Sequence, residues 1–251
     1  MTKNVWITGA SSGIGKALAT KFATKGWHVA ASARRENLLL ELNKINSNIH
    51  PFPLDVTNLE NSKSVFENIL KKIGEVDLCI LLAGIYDPKT EKEINKKQMK
   101  NFMEVNFFGT VNCIIAVEKY FKNKKNGHIS VVSSVAGYRG MPKSEGYAAS
   151  KAALSNFTES LYFDFKRHNV RVSLISPGFI KTPMTDKNQF KMPFIKSAEF
   201  AADKIYKGLV KSKAFEITFP KELTIILKIF RILPYWLYLF LIEKLTKLMK
   251  R

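Results

Sequence analysis

Apolar positions along the chain follow two spacings, and their alternation predicts the elements. Short apolar, β-branched runs read as buried strands at residues 4–8, 28–32, 50–54, 77–82, 129–132, 170–175 and 215–219. Between them, apolar residues recur at three- and four-residue steps, which predicts helices. The first covers 16–25, with Ile14, Leu18 and Phe22 on one side. Others cover 38–45, 59–73, 147–168 and 198–210, and one long helix spans 95–122 through Phe102, Val105, Ile114, Val117 and Phe121. Residues 86–93 read as a polar loop. Residues 186–196, with Met184 just ahead, read as a loop carrying Phe190, Met192, Phe194 and Ile195. Strands alternating with helices over this length predict an α/β fold, a doubly wound parallel sheet of Rossmann type wrapped on both faces. No internal repeat interrupts the pattern.

The pattern changes beyond Pro220, which divides the chain into an α/β unit, 1–219, and a helical extension, 220–251. The extension is rich in Leu, Ile, Phe, Tyr and Trp, but its longest charge-free run, 232–242, falls well short of the ~20 residues of a spanning helix. Lys221, Thr224, Lys228 and Arg231 form a polar stripe at helical spacing. Beyond Pro234, Leu237, Leu241, Leu245 and Leu248 repeat the apolar half. Two amphipathic helices with Trp236 and tyrosines beside lysines suit an anionic membrane surface. Packing within an oligomer, or a lid on a substrate pocket, would produce the same stripe.

Composition adds one unusual feature. With 46% hydrophobic and 24% charged residues the chain is an ordinary globular protein, but its formal charge is +19. Such a charge suits nucleic acid, an anionic membrane or an anionic ligand. The lysines are spread along the chain, however, without the basic–aromatic interleaving of a nucleic-acid module, so nucleic acid is not expected as a partner. Cys79 and Cys113 lie in apolar contexts and read as free core thiols in a reducing compartment. The four histidines have no ligand spacing, and no metal is expected. A strand begins almost at once, at Asn4, with no signal peptide ahead of it. The expected location is therefore cytoplasmic, with the extension peripheral to the membrane's cytoplasmic face.

Three stretches carry candidate chemistry. Thr8-Gly9-Ala10-Ser11-Ser12-Gly13-Ile14-Gly15 joins the first strand to the first helix. That is the setting of a dinucleotide cradle, with phosphates on the helix N-terminus. After the second strand, the place where an NAD-selecting acid would stand holds Ala33, followed by Arg34 and Arg35. Guanidinium groups there suit a 2′-phosphate, hence NADP(H) over NAD(H), unless they merely open a surface helix. Asp55, before Val56, either receives an adenine amino group or caps the next helix. Finally, Tyr147 and Lys151 stand four apart on one helical face, with Ser134 at the end of the preceding strand. A tyrosine ordinarily titrates near pH ~10, and an adjacent ammonium is expected to lower that value toward a proton-transfer catalyst's working range. Asn106, inside a predicted helix, is either a satisfied core group or part of a relay.

Together these residues resemble the short-chain dehydrogenase/reductase family in its short form, over roughly residues 3–219. Thr8 to Gly15 match the family's nucleotide turn. Ser134, thirteen residues before Tyr147-x-x-x-Lys151, matches its active-site signature. Asn106 matches its helix asparagine, and Pro177-Gly178 with Thr182 its nicotinamide-side motif. The resemblance implies that Tyr147 exchanges the hydroxyl proton, Ser134 holds the carbonyl oxygen and Lys151 binds the nicotinamide ribose. It further implies that Asn106 holds a water connecting Lys151 to solvent. One departure stands out: Leu81-Leu82-Ala83-Gly84 replaces the family's Asn-Asn-Ala-Gly, which puts sheet detail and cofactor affinity in question. The expected function is an NADP(H)-dependent oxidoreductase interconverting a carbonyl and a secondary alcohol on a hydrophobic, lipid-like substrate. Residues 184–195 would form the lid, and the assembly would be a homodimer or homotetramer. The rival from another class is a non-catalytic nucleotide sensor or membrane scaffold on the same fold.

Overall fold

A computed structural model of the chain describes residues 3–87, 94–188 and 190–247. Most of the predicted 86–93 loop, from Pro88 on, and Leu248 of the apolar stripe therefore lie outside the described residues. The strands are β1 (Asn4–Thr8), β2 (His28–Ala33), β3 (Ile49–Pro53), β4 (Leu78–Leu81), β5 (His128–Val132), β6 (Arg171–Pro177) and β7 (Glu216–Phe219). Among the described residues they form one parallel sheet in the order β3-β2-β1-β4-β5-β6-β7.

Strands β1, β4 and β5 are buried along their whole length, which is why they read as unbroken apolar runs. Side chains alternate between the two faces. Val5 and Ile7 join Leu18 and Phe22 of α1 (Gly13–Thr24), Leu39 of α2 (Glu36–Ile45) and Ile205 of α7 (Ala198–Lys211). Trp6 points the other way. It joins Phe66 and Ile69 of α3 (Leu59–Ile73), Phe121 of α5 (Gly109–Lys124) and Phe165 of α6 (Glu145–Lys166).

The chain lays down β1, β2 and β3 in one direction, then crosses back to place β4 on the other side of β1. This reversal opens a crevice beyond the carboxyl ends of β1 and β4, where doubly wound sheets bind their ligands. The crevice is tied shut at its base: the Thr8 hydroxyl accepts from the Leu82 N–H at 3.0 Å and the Ala83 N–H at 3.1 Å. Backbone donors make that tie, so leucines serve at 81 and 82, and Thr8 stays in register with Leu81.

Two expectations need correction. The single helix over 95–122 is instead α4 (Lys96–Phe102), a π-helical stretch Met103–Phe108, and α5. The widened turn carries Asn106, and such π insertions cluster at functional sites. The extension does form two helices, α8 (Lys221–Ile232) and α9 (Tyr235–Lys247), but the polar stripe of α8 faces the protein. Thr224 is buried beside Leu223 and Leu227. The Lys221 ammonium donates to the Thr218 hydroxyl at 3.1 Å, and Lys228 pairs with Glu216 at 2.6 Å.

Candidate active site

The crevice is built first from glycine geometry. Gly9 turns the chain at φ +73°, and a Cβ there would stand 2.9 Å from the Ala83 backbone. At Gly15 a Cβ would stand 2.1 Å from the Gly9 carbonyl oxygen, so only glycine lets α1 begin this close to β1. The first turn of α1 has no acidic residue, and its positive end faces the crevice. Ile14, in that same turn, packs against the core.

Charge is added from β2. The Arg35 guanidinium donates to the Ser11 hydroxyl at 3.0 Å and the Ser12 hydroxyl at 3.2 Å, placing it over the glycine turn. Arg34, also exposed, acts on Asp55 through space. The Asp55 carboxylate accepts from the Thr57 N–H at 3.0 Å and the Thr57 hydroxyl at 2.8 Å, which, with Arg34, holds it below the usual carboxylate range. It does not cap α3. Asn58 does, accepting from the Asn61 N–H at 2.9 Å. Val56 is buried, and its carbonyl accepts from Asn112 at 2.9 Å. One guanidinium, that of Arg35, and the N-terminus of α1 thus meet at the glycine turn.

The reacting groups meet at the far side. Lys151, 4% exposed, donates from Nζ to the Val132 carbonyl at 3.0 Å, and its Nζ lies 5.8 Å from the Tyr147 ring centre. Ser134 caps the turn after β5, accepting from the Ala136 N–H at 3.1 Å, and its side chain hydrogen-bonds the Tyr147 hydroxyl. Gly84 closes the group, since a Cβ on it would stand 3.1 Å from Asn106 Oδ1 and 3.6 Å from Lys151 Nζ. Thr182 is brought against the turn, with its methyl 3.0 Å from where a Gly13 Cβ would be. Pro177 and Gly178 lie against the extension, for the Gly178 N–H donates to the Phe219 carbonyl at 2.7 Å and a Cβ on Gly178 would meet Leu223 at 2.8 Å.

Electrostatics here run opposite to the expected direction. Desolvation pushes the Tyr147 phenol up to about 12, with the Ser134 hydrogen bond opposing and Tyr86 adding to the rise. Desolvation also lowers Lys151 to about 8. The ammonium is aimed at a carbonyl rather than the phenol oxygen; Lys151 is buried and Tyr147 half-buried. The phenol of the protein by itself is thus held in its protonated state.

Asn106 is a satisfied core group, one of the two readings its position in a helix allowed. Its Oδ1 accepts from the Ile85 N–H at 2.7 Å, and its Nδ2 donates to the Ile85 carbonyl at 3.1 Å and the Ser150 hydroxyl at 2.9 Å. Its side chain therefore clamps the segment leaving β4 next to Lys151, and its backbone carbonyl accepts from Thr110 at 3.0 Å.

Two residues were missed in the sequence. Tyr86 packs its ring 4.9 Å from that of Tyr147 and donates its hydroxyl proton to Asn188 at 2.7 Å. Arg139 donates from Nη1 to the carbonyls of Phe230 and Leu233, both at 2.7 Å, tying the extension to the loop between Ser134 and Tyr147. Neither sits in a local spacing pattern, so only the fold reveals them.

Known proteins share this arrangement. The profile of the short chain dehydrogenase family matches residues 3–192. An uncharacterized oxidoreductase of Myxococcus xanthus is 34% identical over 232 residues, covering 91% of each chain. The 3-oxoacyl-(acyl-carrier-protein) reductase FabG of Thermotoga maritima is 36% identical over 185 residues, 72% of this chain and 75% of the relative. A short chain dehydrogenase of Burkholderia cenocepacia in complex with NADP superposes with a TM-score of 0.80 at 25% identity, over 90% of this chain and 92% of that one. A Burkholderia phymatum relative in complex with NAD shares the fold, with a TM-score of 0.81 at 22% identity over 90% and 92% of the two chains. With Ser134, Tyr147 and Lys151 gathered at the switch point of a doubly wound sheet, the chain belongs to the short chain dehydrogenase family.

Proposed function

We propose that this oxidoreductase uses NADP(H) to interconvert a carbonyl and a secondary alcohol on an apolar, lipid-like substrate. It would work in the reducing cytoplasm that its two buried free thiols suit. The observation that carries the reading is the meeting of Tyr147, Ser134 and Lys151 beside Gly84, at the mouth of the glycine-turn crevice.

The bound nicotinamide would supply or accept the hydride. The chain's own residues do the rest. Ser134 donates a hydrogen bond to the substrate oxygen, and Tyr147, kept protonated by desolvation, gives that oxygen its proton in the reducing direction. In oxidation the phenolate takes the proton back. Lys151 would hold the cofactor's ribose hydroxyls and, as a cation, favour the phenolate. Asn106 holds the Ile85 segment in place beside it. Thr8, Gly9, Ser11, Ser12, Gly13, Ile14 and Gly15 cradle the phosphates, with Ala83, Gly84, Asp55 and Val56 along the nucleoside. Pro177, Gly178 and Thr182 flank the nicotinamide. Arg34 and Arg35 hold the 2′-phosphate, which is the basis for preferring NADP(H).

The apolar substrate is inferred from the rim. Phe190 packs on Phe179 at 5.8 Å, and Met184, Phe194 and Ile195 stay partly exposed beside them. The acyl substrate in the name of the Thermotoga maritima relative has the same character. The test is consumption of NADPH or NADH by the full chain across ketones and aldehydes, including long-chain ones. Turnover of apolar carbonyls with NADPH is expected, and Tyr147→Phe should lower it by about 10²–10⁴ while leaving NADPH binding unchanged. Normal turnover in the Phe variant would sink the assignment. Tight NADPH binding without turnover of any carbonyl would favour the sensor instead.

A further inference from the structure

Helix α8 is turned inside out relative to the usual amphipathic arrangement. Thr224, 1% exposed, sits with Leu223 and Leu227 against the body of the protein. Lys228 reaches inward to Glu216, and the Arg231 guanidinium lies 5.9 Å from the Tyr138 ring centre. Outward go Ile225, Ile226, Ile229 and Ile232, the last 81% exposed. Helix α9 repeats the choice: Tyr238 and Ile242 are buried, while Tyr235, Trp236 at 73%, Leu239 and Phe240 are exposed. Within each helix these side chains follow one another at three- and four-residue steps, so each helix presents one exposed apolar face. A contiguous apolar patch of this kind on a folded monomer marks an interaction surface.

We propose that this outer face of α8 and α9 docks on an anionic lipid surface. Residues 221–251 hold seven basic residues against two acidic ones, in a chain of formal charge +19. Lys244 is exposed beside Phe240 of the apolar face, where it would meet lipid phosphates. A second copy fits worse, since joining two such faces would set cationic rims against each other. No described helix is long and apolar enough to cross a membrane, so the pair lies along the surface. Trp236 and Tyr235 have the ring-plus-polar-tip character suited to the headgroup boundary. The inner face of α8 packs Leu223 and Leu227 against Phe179 of the substrate rim, so the docking helix rests directly on that rim. Docking would thus hold the proposed pocket near a bilayer.

The experiment is flotation of the full chain with vesicles of phosphatidylcholine alone, and of phosphatidylcholine with phosphatidylglycerol, at low and high salt. It needs neither cofactor nor substrate, so its outcome is independent of the proposed reaction. Flotation with the anionic vesicles, weakened by salt, is expected. The double variant Ile232→Ser, Trp236→Ser should lose at least about tenfold in binding while keeping its circular dichroism, since both side chains are exposed. Absence of flotation at low salt overturns the proposal, as does a double variant that floats like the parent. A parent that fails to float but is a dimer, and a variant that is a monomer, would assign the face to a second copy instead.

Discussion

Lys151 holds a charge in a place with almost no water, and this makes its contribution to stability depend on pH. Its folded pKa of about 8 lies below the ~10.4 of a free lysine. Between those values the unfolded chain keeps a proton that the folded chain has released. Stability contributed by this residue therefore rises with pH through that window, and the full penalty stands below it. Tyr147 works in the opposite sense, since its folded value of about 12 exceeds the usual ~10, and it lowers stability only above about pH 10. The clean window runs from about pH 8 to about pH 10. Chemical denaturation of the parent and of Lys151→Met across it should show the parent gaining on the variant by up to about 1.4 kcal/mol per pH unit. A difference that stays flat would mean that Lys151 is not desolvated in the free protein. A phenol pushed this high keeps its proton at neutral pH but is a weak acid, and a cation brought beside it would lower its pKa toward the working range.

Among the contacts that join helices α8 and α9 to the catalytic loop, that of Arg139 has the longest reach. The Arg139 guanidinium sits 4.0 Å from the Tyr238 ring centre and 4.6 Å from that of Tyr235, and it donates to two carbonyls at the end of α8. The Tyr238 hydroxyl returns a hydrogen bond to the Gly140 carbonyl. Charge-assisted bonds to carbonyls are worth about 1.5–3 kcal/mol. Arg139→Ala should accordingly free α9, raise cleavage by protease near Pro234 and lower kcat, with the KM for NADPH unchanged. Arg139→Lys should recover little, because an ammonium lacks the planar fork that stacks and donates together. Unchanged protease sensitivity in the Ala variant would dismiss the clamp. None of this was legible beforehand. Periodicity showed that α8 has a polar stripe, but not which way the stripe faces; that depends on Glu216, Thr218 and Tyr138 arriving from distant parts of the chain. The break in the 95–122 helix was hidden for a related reason. Asn106 is drawn out of α-helical geometry by Ile85 and Ser150, which no local window contains. By contrast, β1, α1 and α3 were readable because burial on a regular sheet imposes its period directly on the sequence.

Taken as a whole, the molecule has the glycine turn and Arg35 on the β1–β3 side of the switch point and the proposed substrate rim toward β6 and β7. The glycine turn and the Tyr147–Lys151 pair were visible from sequence because each is a short, rigid spacing. Tyr86, His28 beside His50 at 3.2 Å, and the whole extension-to-loop contact were not, because tertiary folding alone creates them. This division suggests what removal of residues 221–251 should do. Leu223 and Leu227 would leave Val135, Tyr138, Met141 and Phe179 uncovered, next to Ser134. Glu216 would lose Lys228, keeping only the Tyr138 hydroxyl at 2.5 Å and the Ser176 hydroxyl at 2.9 Å. Its carboxyl is drawn up by desolvation and down by Lys228, Tyr138 and Ser176, with a net value below the usual range. Without Lys228 less holds the carboxyl down, so a chain ending at Pro220 should lose near neutral pH part of the stability this ionised group contributes, and its stability should fall less steeply in acid. The glycine turn, Arg35 and α1 are untouched by that cut. NADPH should therefore still bind, within about threefold of the full chain, and its fluorescence would confirm a folded nucleotide half. Turnover should fall by at least about 10²-fold, because a loop displaced by ~1 Å is enough to misplace Ser134 against Tyr147. A truncated chain that binds NADPH and turns over at the parent rate would show that the extension serves docking alone.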